Sequence, residues 1–228
     1  KGIGDSQITN VFYVTKDGRD ANSGRRVADS KATIKSAVSA ASTLPGSVVK
    51  VFAGTYVENN PIKCGPQVSI VGDSLREVTV VPQNADKDLF HVAPGDLISD
   101  MSFTGTMNAG SAVVAFDPDV IRYSGQSPYL LNCTNFISNS IGMKIDGDNV
   151  IGPFKSFVTD SFTQYNQNGI GASITNKGYA QIVSLFTINS DVGIFCGSGG
   201  QCDVTNSNSS FGNFGLVADG KSPTSYTG

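Results

Sequence analysis

The chain lacks tryptophan, carries a single histidine, His91, and has charged side chains at only 15% of its 228 positions. Each scarcity excludes something. Lys and Arg do not cluster beyond the pair Arg25–Arg26 and the net charge is -3, so there is no basic footprint for DNA or RNA. No apolar run approaches the roughly 18 residues of a membrane span, so no membrane insertion is expected. One histidine and no Cys-x-x-Cys pair leave no zinc-type ligand set. Cys64, Cys133, Cys196 and Cys202 are too few for a disulfide framework. Cys196 and Cys202 enclose "GSGGQ"; they read as two packed thiols, with a small loop disulfide as the alternative. The opening "KGIGDSQITN" holds neither an initiating Met nor a secretory signal, which predicts a processed chain or a piece of a longer one.

What is abundant is Gly, Ser, Asn and Thr. A neutral polar surface of that kind suits sugars better than phosphates, and it equally describes an inert solvated face. The same residues recur in a repeated phrase. Gly171 in "NGIGASI" is answered by Gly193 in "DVGIFC", and that by Gly215 in "GNFGLVA", at one constant spacing. Gly142, in "SIGMKI", precedes Gly171 by a longer step, which predicts a loop inserted within "DGDNVIGPFK". The constant spacing is a period of about 22 residues, which belongs to solenoids. The regularly placed Leu and Asn of leucine-rich repeats are missing. Period-two strands run from Val48 onward, among them "VVKVF", "VSIVG", "VTVVP" and "LFHVA", with gaps too short for crossover helices. Glycine at each corner is expected to supply a positive-φ bend. One helix is legible, over 33–42, where Ile34, Ala37, Val38 and Ala41 share a face. Ser30 is its candidate N-cap, and Pro45-Gly46 stops it. A stack of coils needs its open end covered, and this helix is placed to do so.

The expected fold is therefore all-β: a right-handed single-stranded parallel β-helix of about 22 residues per rung with an N-terminal capping helix. Residues 1–47 would form the entry strand and cap, and residues 48–228 the body. The polar end "ADGKSPTSYTG" does not resemble a full cap, so further chain is expected there.

The stretch "FYVTKDGRDANSG…ATIKSAVSAA…GSVVKVFAGTYVENNPIKCGPQVSIVGDSLREVTVVP" resembles the opening of the pectin-lyase-like right-handed parallel β-helix family. The likeness covers residues 11–82 in specific residues and continues as rung pattern beyond. That family serves polysaccharide lyases, polygalacturonases, surface proteins and bacteriophage tailspike and tail-associated proteins. The residues of its enzymes do not carry over. His91 stands in "LFHVAPG" without flanking glycines, no Asp-Asp pair exists, "VTD" at Asp160 is the nearest match to an Asn-x-Asp strand, and "MKI" lacks an Arg. Of five arginines only Arg122 lies beyond the stretch 11–82 that carries the resemblance.

The resemblance therefore implies, first, a structural or host-recognition part of a phage tail. Such a part would be a homotrimer in the virion, contacting other tail proteins and a host surface polysaccharide. The alternatives are a polysaccharide hydrolase or lyase, and a secreted or cell-surface adhesin. An enzyme requires at least two nearby carboxylates, or Asp with a basic residue, on a long face; a scaffold would show only Asn, Ser and Thr there. Candidate catalytic residues are Asp117, Asp160 and Asp191, against the plainer reading of Asp as a turn former. Candidate sugar contacts are Asp119, Arg122, Tyr123 and Tyr129, on or near the loop "FDPDVIRYSG", against an Asp-Pro turn with a surface ion pair. Calcium is conceivable at "DGDN", which lacks the later ligands of a calcium loop; no cofactor is expected. Phe136, Phe162, Phe186, Phe211 and Phe214 read as core stacks.

Overall fold

Alternation of apolar and polar side chains makes strands whose alternate residues face one core. In Val68–Gly72, Val68 and Ile70 are fully buried while Ser69 and Val71 are half-buried. The computed structural model describes residues 10–120, 126–148 and 156–220, and in it such strands stack as a right-handed parallel β-helix. One sheet runs β1 (Val11–Val14), β2 (Ser47–Val51), β5 (Val68–Gly72), β8 (Leu97–Phe103), β10 (Tyr129–Asn135), β12 (Ser156–Gln164), β14 (Tyr179–Ile188) and β16 (Gln201–Thr205). It continues round a bend into β3 (Gly54–Glu58), β6 (Val78–Pro82) and β17 (Asn208–Ser210). The opposing sheet, called here face one, stacks β4 (Ile62–Lys63), β7 (Phe90–Val92), β9 (Ala112–Phe116), β11 (Ile141–Asp146), β13 (Ile170–Thr175), β15 (Val192–Gly197) and β18 (Phe214–Asp219).

The register carries the repeat. Ile170 pairs with Val192 and Val192 with Phe214, the same step each time. Tyr129 pairs with Val158 and Ile141 with Ile170, a longer step. The extra residues of that coil fall between β11 and β12, where the sequence placed an insertion.

Gly142, Gly171, Gly193 and Gly215 are in line, one per coil, but not at bends. Each is the second residue of a face-one strand, and none has positive φ. Gly171 and Gly193 are glycines because the next coil passes too close. A Cβ on Gly171 would lie 2.3 Å from the carbonyl oxygen of Gly193, and one on Gly193 2.5 Å from that of Gly215. The positive-φ bend belongs to another column: Asp100, Asn132, Ser161, Ser184 and Asn206, all with φ between 49° and 59°. Short polar side chains tolerate this region because they bond locally. Asn132 Nδ2 donates to Asp100 Oδ1 at 2.7 Å and Asn206 Nδ2 to Ser184 Oγ at 3.2 Å, tying bend to bend.

The lid is α1 (Ile34–Ala41), which buries Ile34, Ala37, Val38 and Ala41. Its N-cap is Thr33, whose Oγ1 accepts from Ser36 N at 3.1 Å. Ser30 is instead engaged with Thr15, Oγ to Oγ1 at 2.7 Å. A second acceptor comes from the stack itself: Glu58 takes the N–H groups of Ile34 (2.7 Å) and Lys35 (3.0 Å). Two of the helix's unpaired first-turn donors are thereby bound by a carboxylate, which also suits the helix dipole. Of the phenylalanines read as core, only Phe162 is buried; Phe136 and Phe186 point outward, and Phe211 and Phe214 are exposed.

Candidate functional site

Along face one the register aligns Lys63 with His91, His91 with Ala115 and Ala115 with Lys144. Lys63, His91 and Lys144 each sit between two inward neighbours, in Ile62-Lys63-Cys64, Phe90-His91-Val92 and Met143-Lys144-Ile145, so alternation turns them outward. The small Ala115 leaves room for Lys144 to lie back across β9.

Two carboxylates bracket His91. Asp88, two residues before β7, accepts from His91 Nε2 at 3.1 Å. Its other oxygen accepts from Lys144 Nζ at 2.8 Å and from Ala112 N at 2.7 Å. Burial opposes ionisation of Asp88, but the hydrogen bonds from His91 and Lys144 outweigh it and hold the carboxyl below its ordinary range. Asp117, immediately after β9, lies on the other side, with Oδ1 4.0 Å from His91 Nδ1. The imidazole is only one-tenth exposed, and Nδ1 is buried with no hydrogen-bond partner among the described residues. Asp117 Oδ1 also accepts from Asp119 N at 2.9 Å. Beneath this array Asp96 takes the N–H groups of Val68 (2.9 Å) and Ala93 (2.6 Å). Burial, reinforced by the nearby charge of Asp117, pushes its carboxyl up to about 8 against the pull of those donors. At the rim Lys63 pairs with Asp119, whose side chain is mostly exposed, and the pair contributes little to stability.

A groove of about 540 Å³ opens over this array, bounded by Lys63, Asp86, Asp88, His91, Asn108 and Lys144. It thus gathers carboxylates, an imidazole and the ammonium groups of Lys63, Lys87 and Lys144 on a long face of the solenoid. Glycoside hydrolysis needs a pair of carboxyl groups in differing protonation states. The surroundings of Asp88 and Asp117 differ in donor supply: Asp88 is ringed by a lysine, an imidazole and a backbone N–H, whereas Asp117 is served by one backbone N–H.

Of the residues singled out in the sequence, Asp117 and Asp119 adjoin this groove through His91 and Lys63 without lining it. Asp160 stands elsewhere, on β12 beside Leu131 and Val183, accepting from Ser161 Oγ at 2.9 Å. Asp191 lies at the corner before β15, accepting from Asn213 Nδ2 at 2.7 Å. Tyr129 begins β10 next to Leu97 and Val158. Arg122 and Tyr123 lie outside the described residues. At "DGDN", Asp146 Oδ1 takes Asp148 N at 3.0 Å and Asn176 Nδ2 at 2.8 Å, a turn closed by its own side chain. Among the described residues no group of three or more His, Cys, Asp or Glu is placed to hold a metal, and no helix is long and apolar enough to cross a membrane. Asp88, Lys63 and Lys144 were missed by sequence reasoning, and His91 was set aside for lack of flanking glycines.

No protein-family model matches the chain, and no curated protein matches it. Among solved structures it is similar to a rhamnogalacturonan lyase, at 13% identity and a TM-score of 0.42, with 93% of this chain and 62% of that one covered. It is also similar to ORF18 of Geobacillus virus E2, at 13% identity and a TM-score of 0.25, with 77% of this chain and 54% of that one covered. The chain thus spans less than two thirds of either.

Proposed function

We propose that this chain is a polysaccharide-cleaving enzyme whose reaction centre is the Asp88–His91–Asp117 array on face one. The observation that carries this reading is a nine-tenths buried imidazole bracketed by two carboxylates at the floor of an open groove. Carboxylates serve other corners singly, as Asp96, Asp100 and Asp146 do; only here do two of them flank an imidazole. In the proposed reaction Asp88 stays ionised, fixed by Lys144 and Ala112, and holds the His91 ring in place through Nε2. Asp117 is the second carboxylate of the relay: the proton given to the departing glycosidic oxygen, and recovered from water, passes through His91, which lies between Asp117 and the groove. Lys63, Lys87 and Lys144 are the groove's cations, and an acidic sugar would meet them first. Incubation with a panel of plant and bacterial polysaccharides tests the proposal. New reducing ends from the wild type, lost in Asp88→Asn and His91→Gln, support it. Unsaturated ends would change the chemistry to β-elimination at the same groove, and no new ends would remove the reading.

A second reading has its own observation. Phe136 and Tyr165 stack on the outside of neighbouring coils, centroids 5.4 Å apart and planes within 9°, with Arg76 over the free face of Phe136 at 5.8 Å. Both faces of Phe136 are taken, and the exposed ladder of rings it forms with Tyr165 suits a neighbouring subunit. On this reading the chain is a rigid part of a phage tail, trimeric through that ladder and touching host polysaccharide only by its loops. Sedimentation analysis tests it: a trimer that Phe136→Ala/Tyr165→Ala dissociates supports it, and a monomer removes it.

A further inference from the structure

The corner between β15 and β16 differs from its counterparts in the coils before it. Register places Cys196 beside Ile174 and Cys202 beside Ala180, and both of those partners are fully buried. One coil further back the same two places hold Ile145 and Phe157, again buried. Strand alternation therefore turns Cys196 and Cys202 toward the core, one from each sheet, on either side of a single turn. Of these coils only the last carries cysteine at both places.

The turn is short. β15 ends at Gly197 and β16 begins at Gln201, and Gly200 N donates to Gly197 O at 2.9 Å. The two strands thus meet within one bend, and the inward residue on one arm lies across the corner from the inward residue on the other. The thiols register this contact. Burial raises both, Cys202 to about 11, and the next influence on each is the other. They are separate thiols in this structure, and Cys64 and Cys133 belong to other coils.

The same turn lacks a tie that its counterpart has. One coil earlier Asn176, with φ 52°, anchors the bend by donating from Nδ2 to Asp146 Oδ1 at 2.8 Å. Ser198 takes that place with φ 53°, and its hydroxyl makes no hydrogen bond to another described residue. Three of the five residues between the cysteines are glycine. Glycine loses the most backbone freedom on folding, so ordering this turn is unfavourable, and a cross-link over it removes that freedom from the unfolded chain beforehand.

We propose that Cys196 and Cys202 form a disulfide, a covalent staple joining the two sheets inside the solenoid across the β15–β16 turn. The oxidant is a small-molecule disulfide such as oxidised glutathione. One cysteine thiolate attacks one of its sulfurs, and a glutathione thiolate leaves. The other cysteine thiolate attacks the protein sulfur of the mixed disulfide and displaces the second glutathione. Two electrons and two protons pass from the protein to two molecules of reduced glutathione. Burial keeps both thiols protonated near neutral pH, so the exchange is slow once the chain has folded. The bond is made as the chain folds, in an oxidising compartment.

The test is refolding of the urea-denatured, reduced chain at about pH 8, near the ordinary thiol value, in glutathione buffers that are oxidising in one arm and reducing in the other. Free thiols are then blocked with iodoacetamide under denaturing conditions, and tryptic peptides are weighed. Cys196 and Cys202 fall in one such peptide, 178–221. From the oxidising arm it should emerge unalkylated and two hydrogens lighter than its thiol form, while Cys64 and Cys133 carry the label. The oxidised chain should melt about 5 °C above the reduced one. Cys202→Ala should melt with the reduced wild type in both arms. Alanine already fills this place one coil earlier, at Ala180, so the variant keeps its fold. Labelling of both Cys196 and Cys202 in the oxidising arm would overturn the proposal, as would a bond made by Cys64 or Cys133. Equal melting of the bonded and reduced chains would show that the bond staples nothing, and would overturn it too.

Discussion

Lys144 Nζ lies 2.8 Å from Asp88 Oδ1, although the two residues belong to coils two steps apart. The lysine crosses Ala115 on the intervening strand, and also donates to Gly110 O at 3.2 Å. The contact is partly screened, with side-chain exposures of 30% and 13%. Lys144→Met should therefore destabilise by about 1 kcal/mol, less than a fully buried pair would lose. Its larger effect is on the site. Asp88 loses the cation that helps keep it ionised, so polysaccharide cleavage, where detected, should fall by about tenfold or more at pH 7. Urea unfolding and initial rates on the same preparation measure both.

Acid should expose the same interaction. The carboxyl of Asp88 is held low in the fold and lies higher in the unfolded chain. A depressed group stabilises above its unfolded value and loses that contribution as pH falls through the folded one. The window is thus below about pH 4. Melting temperature followed from pH 6 downward should drop less steeply in Asp88→Asn than in wild type over that window.

Asp96 has the opposite sign. Its carboxyl is raised to about 8 in the fold. The raised value favours the fold fully below the unfolded value near pH 4, and this advantage is lost progressively as pH rises to the folded value. Stability should therefore decline between about pH 4 and pH 8, and Asp96→Asn should flatten that decline in pH-dependent thermal melts. An unchanged slope in the variant would place the effect on other groups.

The line of glycines makes a sharper prediction. Gly171→Ala and Gly193→Ala would each set a Cβ against a carbonyl oxygen of the next coil, at 2.3 and 2.5 Å. Neither coil can yield without stretching its ladder, so each should destabilise by about 1–3 kcal/mol. Gly215 occupies the same place in the repeat, but its Cβ would meet only Ser209 Cβ, at 3.8 Å. Gly215→Ala should cost far less. Chemical denaturation of the three variants separates a packing requirement from a conformational one, since all three glycines share an ordinary strand backbone.

These glycines mark how far the sequence could be read. Their spacing announced the stack, and "VSIVG" and "VTVVP" coincide with β5 and β6 to the residue. The reason for glycine was misread, because close approach between coils is a tertiary fact; the bend belongs to Asp100, Asn132, Ser161, Ser184 and Asn206. The N-cap moved from Ser30 to Thr33 because Ser30 found a partner in Thr15, just past the entry strand. The short β17, Asn208–Ser210, carries no apolar residue and gave no periodic signal. The groove was hidden by unequal coils. Lys63, His91, Ala115 and Lys144 are neighbours in register but unevenly spaced along the chain, so a ruler of one fixed period never aligns them. What did mark Lys63, His91 and Lys144 was a polar residue between two apolar ones, three times over. Asp88 carried no mark at all, since a carboxylate before a strand looks like any turn.

The lid offers a further check. Glu58 binds two N–H groups at the start of α1 and is almost fully buried. Glu58→Ala leaves both donors unpaired beneath the helix, and should cost about 2–3 kcal/mol in urea unfolding. A near-neutral result would mean that α1 is held by its apolar face alone.

The central claim is that one imidazole between two carboxylates breaks glycosidic bonds. The most direct measurement is the release of sugar ends from a polysaccharide panel by wild type, His91→Gln and Asp117→Asn, each confirmed folded by its melting temperature. The account predicts release by the wild type and at least a hundredfold loss, on the order expected for a proton-transfer group, in both variants. Release that survives in folded His91→Gln and Asp117→Asn, or none from the wild type on any polymer, would contradict it.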